Sequence, residues 1–559
     1  MLDALKRRQR VMAEPALLAE GAAWWRGAVI YQIYPRSFFD SNGDGVGDLP
    51  GVVAKLDYVA SLGVDAIWLS PFFASPMRDF GYDVADYCAV DPLFGTLADF
   101  DRLIRRAHAL GLKVLIDQVW GHSSDRHAWF LESRASRSGP RADWYVWADA
   151  KADGTPPNNW LSVFGGAAWS WEPRRRQYYL HHFLPSQPQL NLRNPAVLNA
   201  LLESSLFWLD RGVDGFRFDA LDFLMHDPML RDNPPAPPPG GVVPARPFGL
   251  QRHLHDMLDP DIFDIIRHIR AMTDFYPGTA SLGEVSSQDG AFARIAEYTG
   301  GSDRLQMAYT LRLLRAELTP AALREALREI AAGEARGWAC WSFSNHDAMR
   351  VVSRARDVAA GDRPALARML LALLVSLRGS VCLYQGEELG LPEAELGFED
   401  LRDPFGIAFY PEFRGRDGSR TPMPWQGDAP HAGFTEAEAP WLPVPAAHAA
   451  LAVAAQEGDP RSPLNTLRRL LRWRRTQPAL REGDLVPLDL PAPLFAFERR
   501  LGGERLLVCC NFSAAAQALP AAAAAGMVPL CQEDFPVTAT GGVAVLPPFG
   551  VFFARRGGV

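Results

Sequence analysis

Apolar residues crowd into several short runs along the chain, at 29–35 (VIYQIYP), 66–71 (AIWLSP) and 113–119 (KVLIDQV). A strand with one wet face alternates apolar and polar positions, whereas near-continuous apolar runs belong to parallel strands covered on both faces. Between these runs the period changes to that of a helix. Residues 49–62 form such a stretch, ended by Gly63, and residues 97–110 another, ended by Gly111. From 120 to 190 the periodicity fails among Trp, Gly, Pro, His and Asn. A structureless loop of that length is improbable, so a small inserted domain is expected there. The alternation resumes with Asn194-Pro195, a cap and a first-turn proline for a helix over 196–211, leading into Gly215-Phe216-Arg217-Phe218-Asp219-Ala220. Further strands are predicted over 279–285, 304–310, 339–345 and 380–386. Counted from Val29 the strands number eight, the number that closes a (β/α)8 TIM barrel.

The expected fold class is therefore α/β, a barrel with a small domain inserted after strand 3 and an all-β C-terminal domain. Residues 1–119 and 191–481 would form the barrel, 120–190 the insert and 482–559 the β domain. There the pattern turns to short strands, such as 494–500 and 505–512 about the turn Gly502-Gly503. A Pro/Gly-rich excursion at 232–241 reads as a stiff loop over the strand ends, and a basic helix is expected over 464–477.

Composition narrows the function. Hydrophobic residues make up 48% and charged residues 22% of 559, ordinary for a globular chain. The net charge of −8 argues against nucleic acid or an anionic membrane as the main partner. The sixteen tryptophans suit packing against sugar rings as well as a large core. Six cysteines without CxxC spacing suggest reduced thiols rather than a zinc site or a disulfide framework. The basic cluster 6–10 is followed by Glu14, Pro15 and Glu20, which break the apolar core a signal peptide needs. With a longest apolar run (369–377) too short to span a bilayer, a cytoplasmic location is expected.

Arg217 and Asp219, two apart on one strand, project to one face while Phe216 and Phe218 face the other way. An opposite-charge pair inside a barrel can be a plain buried ion pair. Two further carboxylates change that reading, Glu284 in Leu282-Gly283-Glu284-Val285 and Asp347 in Asn345-His346-Asp347, each ending an apolar run. Carboxylates at the ends of successive barrel strands are how this architecture builds an active site.

The motifs GVDAIWLSP (63–71), DQVWGHSSDRH (117–127), QPQLN (187–191), GFRFDA (215–220), GEV (283–285) and FSNHD (343–347), in that order, resemble the α-amylase superfamily, glycoside hydrolase family 13, and within it the bacterial α-glucosidases and oligo-1,6-glucosidases. The segments MHDPMLRDNPP (225–235) and RGRDGSRTPMPW (414–425) strengthen the likeness. The resemblance implies a retaining glycosidase, with one ionised carboxylate as nucleophile and one carboxyl as acid and then base. Asp219 would be the nucleophile, held ionised by Arg217, and Glu284 the acid/base, with Asp347 binding a sugar hydroxyl and straining the ring. His122 and His346 would contact further hydroxyls. Asp79 and Arg416 would hold the non-reducing end of the glucose, Tyr82 would stack on it, and Phe164 and Phe183 would line the pocket. Such a pocket admits only a chain end. Ala220, directly after the nucleophile, would leave room for an α-1,4-linked neighbour where valine accompanies α-1,6 specificity.

The implied activity is exo-acting hydrolysis of short α-glucosides such as maltose, with glucosyl transfer alongside. Sucrose hydrolysis or isomerisation on the same site is the alternative. A carboxylate-free transporter subunit is disfavoured by the presence of Asp219, Glu284 and Asp347. No cofactor is expected for catalysis. Gly121 stands where the family usually has an Asn ligand of the α-amylase calcium, and Gln189 replaces the usual acid of QPDLN. A separate loop, Asp40-Ser41-Asn42-Gly43-Asp44-Gly45-Val46-Gly47-Asp48, resembles the first half of an EF-hand but has Gly51 at position twelve. By resemblance one structural Ca²⁺ or Mg²⁺ would bind Asp40, Asn42, Asp44 and Asp48 with the Val46 carbonyl.

Overall fold

In a computed structural model, described here for residues 23–237, 246–332, 337–355, 358–540 and 543–556, eight parallel strands form the central sheet. They are β1 (Val29–Ile33), β2 (Ala66–Leu69), β3 (Lys113–Gln118), β4 (Gly215–Phe218), β5 (Ala280–Val285), β6 (Met307–Thr310), β7 (Cys340–Ser342) and β8 (Ser380–Tyr384). The order is β6-β5-β4-β3-β2-β1-β8-β7, and a parallel bridge from Ala308 to Ala339 joins β6 to β7 and closes the ring. Several strands are shorter than their apolar runs suggest, β6 losing residues at its start and β7 mainly at its end.

Local signals set the helices. Asp48 caps Leu49–Leu62 by accepting from the Gly51 amide, and Gly63 ends it in the left-handed region at φ 89°. Thr96 and Asp99 make a reciprocal capping box on Leu97–Ala109. Asn194 and Pro195 open Pro195–Leu209, and Ser462 caps the basic helix Pro463–Arg475. The barrel interior is filled by Ile30, Trp68, Leu115, Leu282, Met307, Tyr309 and Cys340, while Phe216 and Phe218 face the opposite way into the layer under the helices.

Between β3 and β4 the strands Trp147–Ala148, Trp169–Glu172 and Gln177–Leu180 form a small antiparallel sheet over a core of Trp160, Trp169 and Leu180. At the C-terminus Leu494–Leu501 and Glu504–Asn511 pair as a hairpin across Gly502-Gly503, within a five-stranded antiparallel sheet accompanied by a three-stranded one. Arg499 ties this region to the barrel helices, its buried guanidinium donating to the carbonyls of Ser376, Leu377, Leu480 and Gly483. Of the proline-rich excursion, residues 232–237 are described. Pro235 bridges to Gln251 there, and the rest, like the basic cluster at 6–10, lies outside the described residues. Among the described residues no helix is long and apolar enough to cross a membrane.

Candidate active site

A cavity of about 1570 Å³ opens above the C-terminal ends of the barrel strands. Asp219, Glu284 and Asp347 all line it. Asp219 follows the last residue of β4, Glu284 is the penultimate residue of β5, and Asp347 lies five residues past β7. Arg217 organises the floor. It is fully buried, and its Nη1 donates to Asp219 (2.7 Å) and Asp117 (2.5 Å). Its Nη2 donates to Glu284 and to the Tyr309 hydroxyl (2.7 Å). Glu284 and Tyr309 are register partners on β5 and β6, and the Tyr309 hydroxyl donates to Glu284 Oε2 at 2.9 Å. The other oxygen, Oε1, accepts from Ser286 Oγ at 3.1 Å, and Ser286 lines the cavity. The inner oxygen of Glu284 is thus anchored, and the outer one meets the cavity.

Burial and charge oppose each other at Asp219. Desolvation raises its pKa and Arg217 lowers it, while Asp117 and Asp347 raise it further, and the carboxyl is pushed up to about 7. Burial, together with Asp117 and Asp347, outweighs the pull of Arg217, which is also shared with two other carboxylates. Asp347 goes the other way. Burial raises it, but His346, Arg416, Arg420 and Arg217 together hold it well below the ordinary value.

The opposite wall carries the residues the family likeness singled out. Arg416 donates to Asp79 (2.7 Å), Asp347 (3.2 Å) and Asp403 (2.7 Å), and its guanidinium sits 5.2 Å over the Phe164 ring. Gln187 bridges Asp79 (3.0 Å) and His122 (3.1 Å). His122 also meets the Tyr82 carbonyl at 3.0 Å and the Phe183 ring at 5.2 Å, and desolvation lowers its pKa to about 4, so it is neutral. Tyr82 lies parallel to His346 at 5.4 Å, and its hydroxyl meets His346 Nε2 at 2.6 Å. His346 itself is fully buried and does not line the cavity. Its Nδ1 faces Gln32 (2.8 Å), its Nε2 also lies 3.3 Å from Asp347, and its ring stacks on Tyr34. Ala220 lines the cavity in the left-handed region (φ 42°, ψ 49°) and packs with Phe223 and Met257, against which Phe183, Phe248 and Leu258 also lie.

Asp117, Gln187, Tyr309, Asp403 and Arg420 were not singled out by the sequence reading. Arg420 donates to Asp347 (2.8 Å) and to the His346 carbonyl (2.7 Å). Asp117 and Gln187 lie inside quoted motifs, and Asp117 is a carboxylate within an apolar strand, a visible signal. Arg420 and Asp403 come from an irregular stretch, in which Arg420 lies within the quoted segment 414–425 and Asp403 carries no signal.

The Asp40–Asp48 loop lies apart from this cavity. Asp40 accepts from the amides of Asn42, Gly43 and Gly45 and from Thr435, and Asp48 accepts from Ser41 and from the helix amide of Gly51. Among the described residues no three His, Cys, Asp or Glu side chains converge as a metal centre. The donor set is all hard oxygen, which fits Ca²⁺ or Mg²⁺, but Asp48 is committed to capping a helix.

Residues 32–483 match the family model for the α-amylase catalytic domain. The chain is 52% identical over 547 residues to a "Probable alpha-glucosidase" of Rhizobium meliloti (strain 1021), covering 97% of this chain and 98% of that one. The crystal structure of the α-glucosyl transfer enzyme XgtA superposes with a TM-score of 0.90 at 54% identity, covering 95% of this chain and 99% of that chain. The trehalulose synthase MutB from Pseudomonas mesoacidophila MX-45 superposes with a TM-score of 0.85 at 33% identity, covering 95% and 99% respectively.

Proposed function

Because the chain belongs to the α-amylase family and is an enzyme acting on α-glucosides, we propose that it is a retaining enzyme moving an α-glucosyl unit from a short α-glucoside to an acceptor, with water as the competing acceptor. One observation carries the reading. A single guanidinium, Arg217, binds Asp219 through one terminal nitrogen and Glu284 through the other. That arrangement favours the close spacing of a retaining pair, about 5–5.5 Å, over the wider gap that an inverting enzyme leaves for water.

In the first step the Asp219 carboxylate attacks the anomeric carbon while Glu284 Oε1 gives its proton to the glycosidic oxygen, and the aglycone leaves. In the second, the Glu284 carboxylate takes the proton of an acceptor hydroxyl, whose oxygen attacks the anomeric carbon and expels Asp219. Asp347, ionised between Arg416 and Arg420, and neutral His122 bind the glucose hydroxyls. Arg416 with Asp79 closes the inner end of the cavity, which supports action at a chain end.

Two things support transfer over simple hydrolysis. The wall formed by Ala220, Phe223, Phe248, Met257 and Leu258 offers an acceptor an apolar surface and offers water few partners. The 54% identity with the glucosyl transfer enzyme points the same way. A panel of maltose, isomaltose, sucrose and trehalose, with products followed by NMR, tests the proposal. The expected result is α-glucose as the first released anomer, with transfer products growing as substrate rises. Initial β-glucose would overturn the retaining pair, and glucose as the only product at high substrate would overturn transfer. Sucrose converted to an isomeric disaccharide would identify fructose as the favoured acceptor, as the likeness to trehalulose synthase suggests.

We propose further that the Asp40–Asp48 loop binds one Ca²⁺ or Mg²⁺ with a structural role, and that the protein works in the cytoplasm.

A further inference from the structure

Beyond the apolar wall, two arginines line the cavity mouth with no use in the chemistry above. Arg246 stands four residues before Leu250, on the segment that returns from the proline-rich excursion, and Arg315 ends the short helix Arg312–Arg315 that follows β6. The guanidinium of Arg246 lies 5.2 Å over Phe405 and 5.0 Å over Phe413. Phe405 packs at 4.7 Å against Phe164, the ring beneath Arg416. This places Arg246 two aromatic rings outward from the arginine that binds Asp347. Arg315 is close enough to feel both Asp347 and Arg246.

Neither guanidinium makes an ion pair among the described residues. Arg312, on the same short helix as Arg315, pairs with Glu325 and Glu329. Asp289, Glu317, Glu395 and Glu412 also line the cavity, yet none of them pairs with Arg246 or Arg315. Arg246 is half-buried, and its burial and the nearby charge of Arg315 lower its pKa, while Arg315 itself is exposed. Two neighbouring cations on one cavity wall, with no protein anion paired to either among the described residues, are an arrangement that an anionic ligand stabilises.

We propose that Arg246 and Arg315 bind an anionic group, phosphate or carboxylate, on the acceptor or leaving-group sugar. The inference deepens the glucosyl-transfer reading and rests on it for the word acceptor. The anion would sit outward of Ala220 and Phe223, so a sugar carrying it would span the apolar wall with its hydroxyl near Glu284.

Calorimetric titration tests binding without turnover. Glucose 6-phosphate, gluconate and glucose are titrated separately into wild type, Arg315→Ala, Arg246→Ala and Arg315→Lys. A charge-assisted contact predicts that at least one anionic sugar binds roughly tenfold or more tighter than glucose. That preference should collapse in both alanine variants, survive in part in Arg315→Lys, and shrink in 0.5 M NaCl by roughly the screening expected of a partly exposed pair. Tighter binding of glucose 6-phosphate alone would assign phosphate, and of gluconate alone, carboxylate. Equal affinities for all three sugars, or an anion preference that both alanine variants keep, would overturn the proposal. Release of nitrophenol from 4-nitrophenyl α-glucoside, assayed in parallel, reports on the glycosidase reading separately.

Discussion

Replacing Asp219 by Asn removes the proposed nucleophile, and the structure gives this change a second consequence for stability. The carboxyl rises from an ordinary value of 3.8 to about 7 because burial, Asp117 and Asp347 outweigh Arg217. A group whose pKa is raised in the fold binds its proton more tightly folded than unfolded. Its effect on stability is therefore favourable at low pH and is lost as pH climbs from about 4 to about 7. At pH 8 the ionised Asp219 disfavours the fold by on the order of 4 kcal/mol, at 1.36 kcal/mol per pKa unit. An amide escapes that cost, and the pull of Arg217 on the ionised form is already contained in the shifted value. Arg217 keeps Asp117 and Glu284, so the net gain at pH 8 should be about 4 kcal/mol. With an unfolding entropy of about 2.1 cal/mol/K per residue, that is roughly 3–4 °C in Tm for a chain of this length. At pH 5, where the folded carboxyl is protonated and the unfolded one mostly is not, the gain should shrink to about 1.5 kcal/mol, roughly 1 °C. Paired thermal melts of wild type and Asp219→Asn from pH 5 to 8, with turnover measured alongside, check this. Turnover should fall below detection at every pH. A Tm difference that does not move with pH would refute the balance of burial over pairing at Asp219, and substantial residual turnover would refute its role as nucleophile.

The same shift sets the pH profile. Since the attacking group must be ionised, kcat/KM for a neutral substrate should rise with pH through a midpoint near 7, and a flat profile between pH 5.5 and 8 would count against Asp219 as the free-enzyme base form. Ala220 sits at φ 42°, where a β-branched side chain is strained, so Ala220→Val should lower stability by about 1–3 kcal/mol. The added bulk should also shift the kcat/KM ratio from maltose toward isomaltose by roughly 10-fold or more, with maltose preferred by the wild type. A destabilised variant with an unchanged ratio would move the preference elsewhere. For the Asp40–Asp48 loop, Ca²⁺ or Mg²⁺ at 100 times its Kd should stabilise the protein by about 2.7 kcal/mol. A melt unmoved by EDTA and by either ion would remove the site.

The barrel was legible because buried parallel strands leave an unmistakable trace. The runs at 29–33, 66–69 and 113–118 are apolar on both faces, and the helices between them carry their own stops at Gly63 and Gly111. The strand ends were not legible to the residue. Apolar character continues past Ser342, but the ladder stops there, so Asp347 stands in a loop rather than on a strand. Residues 120–190 gave no period because their sheet is built of strands of two to four residues, paired with each other and held by Trp160 and Trp169. Inward-facing polar residues were half legible. Asp117 and Tyr309 share the interior face with Leu115 and Met307, and a carboxylate at such a position is a flag that strand periodicity alone can raise. Arg420 and Asp403 had no such flag, since only tertiary structure brings the irregular segment after β8 against Asp347.

Those unflagged residues decide the electrostatics of the site. Asp117, Asp219 and Glu284 bind Arg217, Asp79 and Asp403 bind Arg416, and Asp347 binds both Arg416 and Arg420. Six carboxyls thus face three guanidiniums, and even with one proton on Glu284 the enclosure holds an excess of negative charge. An excess of that sign does two things at once. It helps make Asp219 hold its proton up to about 7. It also favours any positive charge that develops on the sugar between the carboxylates, and the oxocarbenium-like transition state of glycosyl transfer is such a charge. The glucoside in its ground state is neutral and gains little from the same field, so the field acts on the barrier more than on binding. Arg217, Arg416 and Arg420 then have a single physical task, to make so many buried carboxylates tolerable without neutralising them.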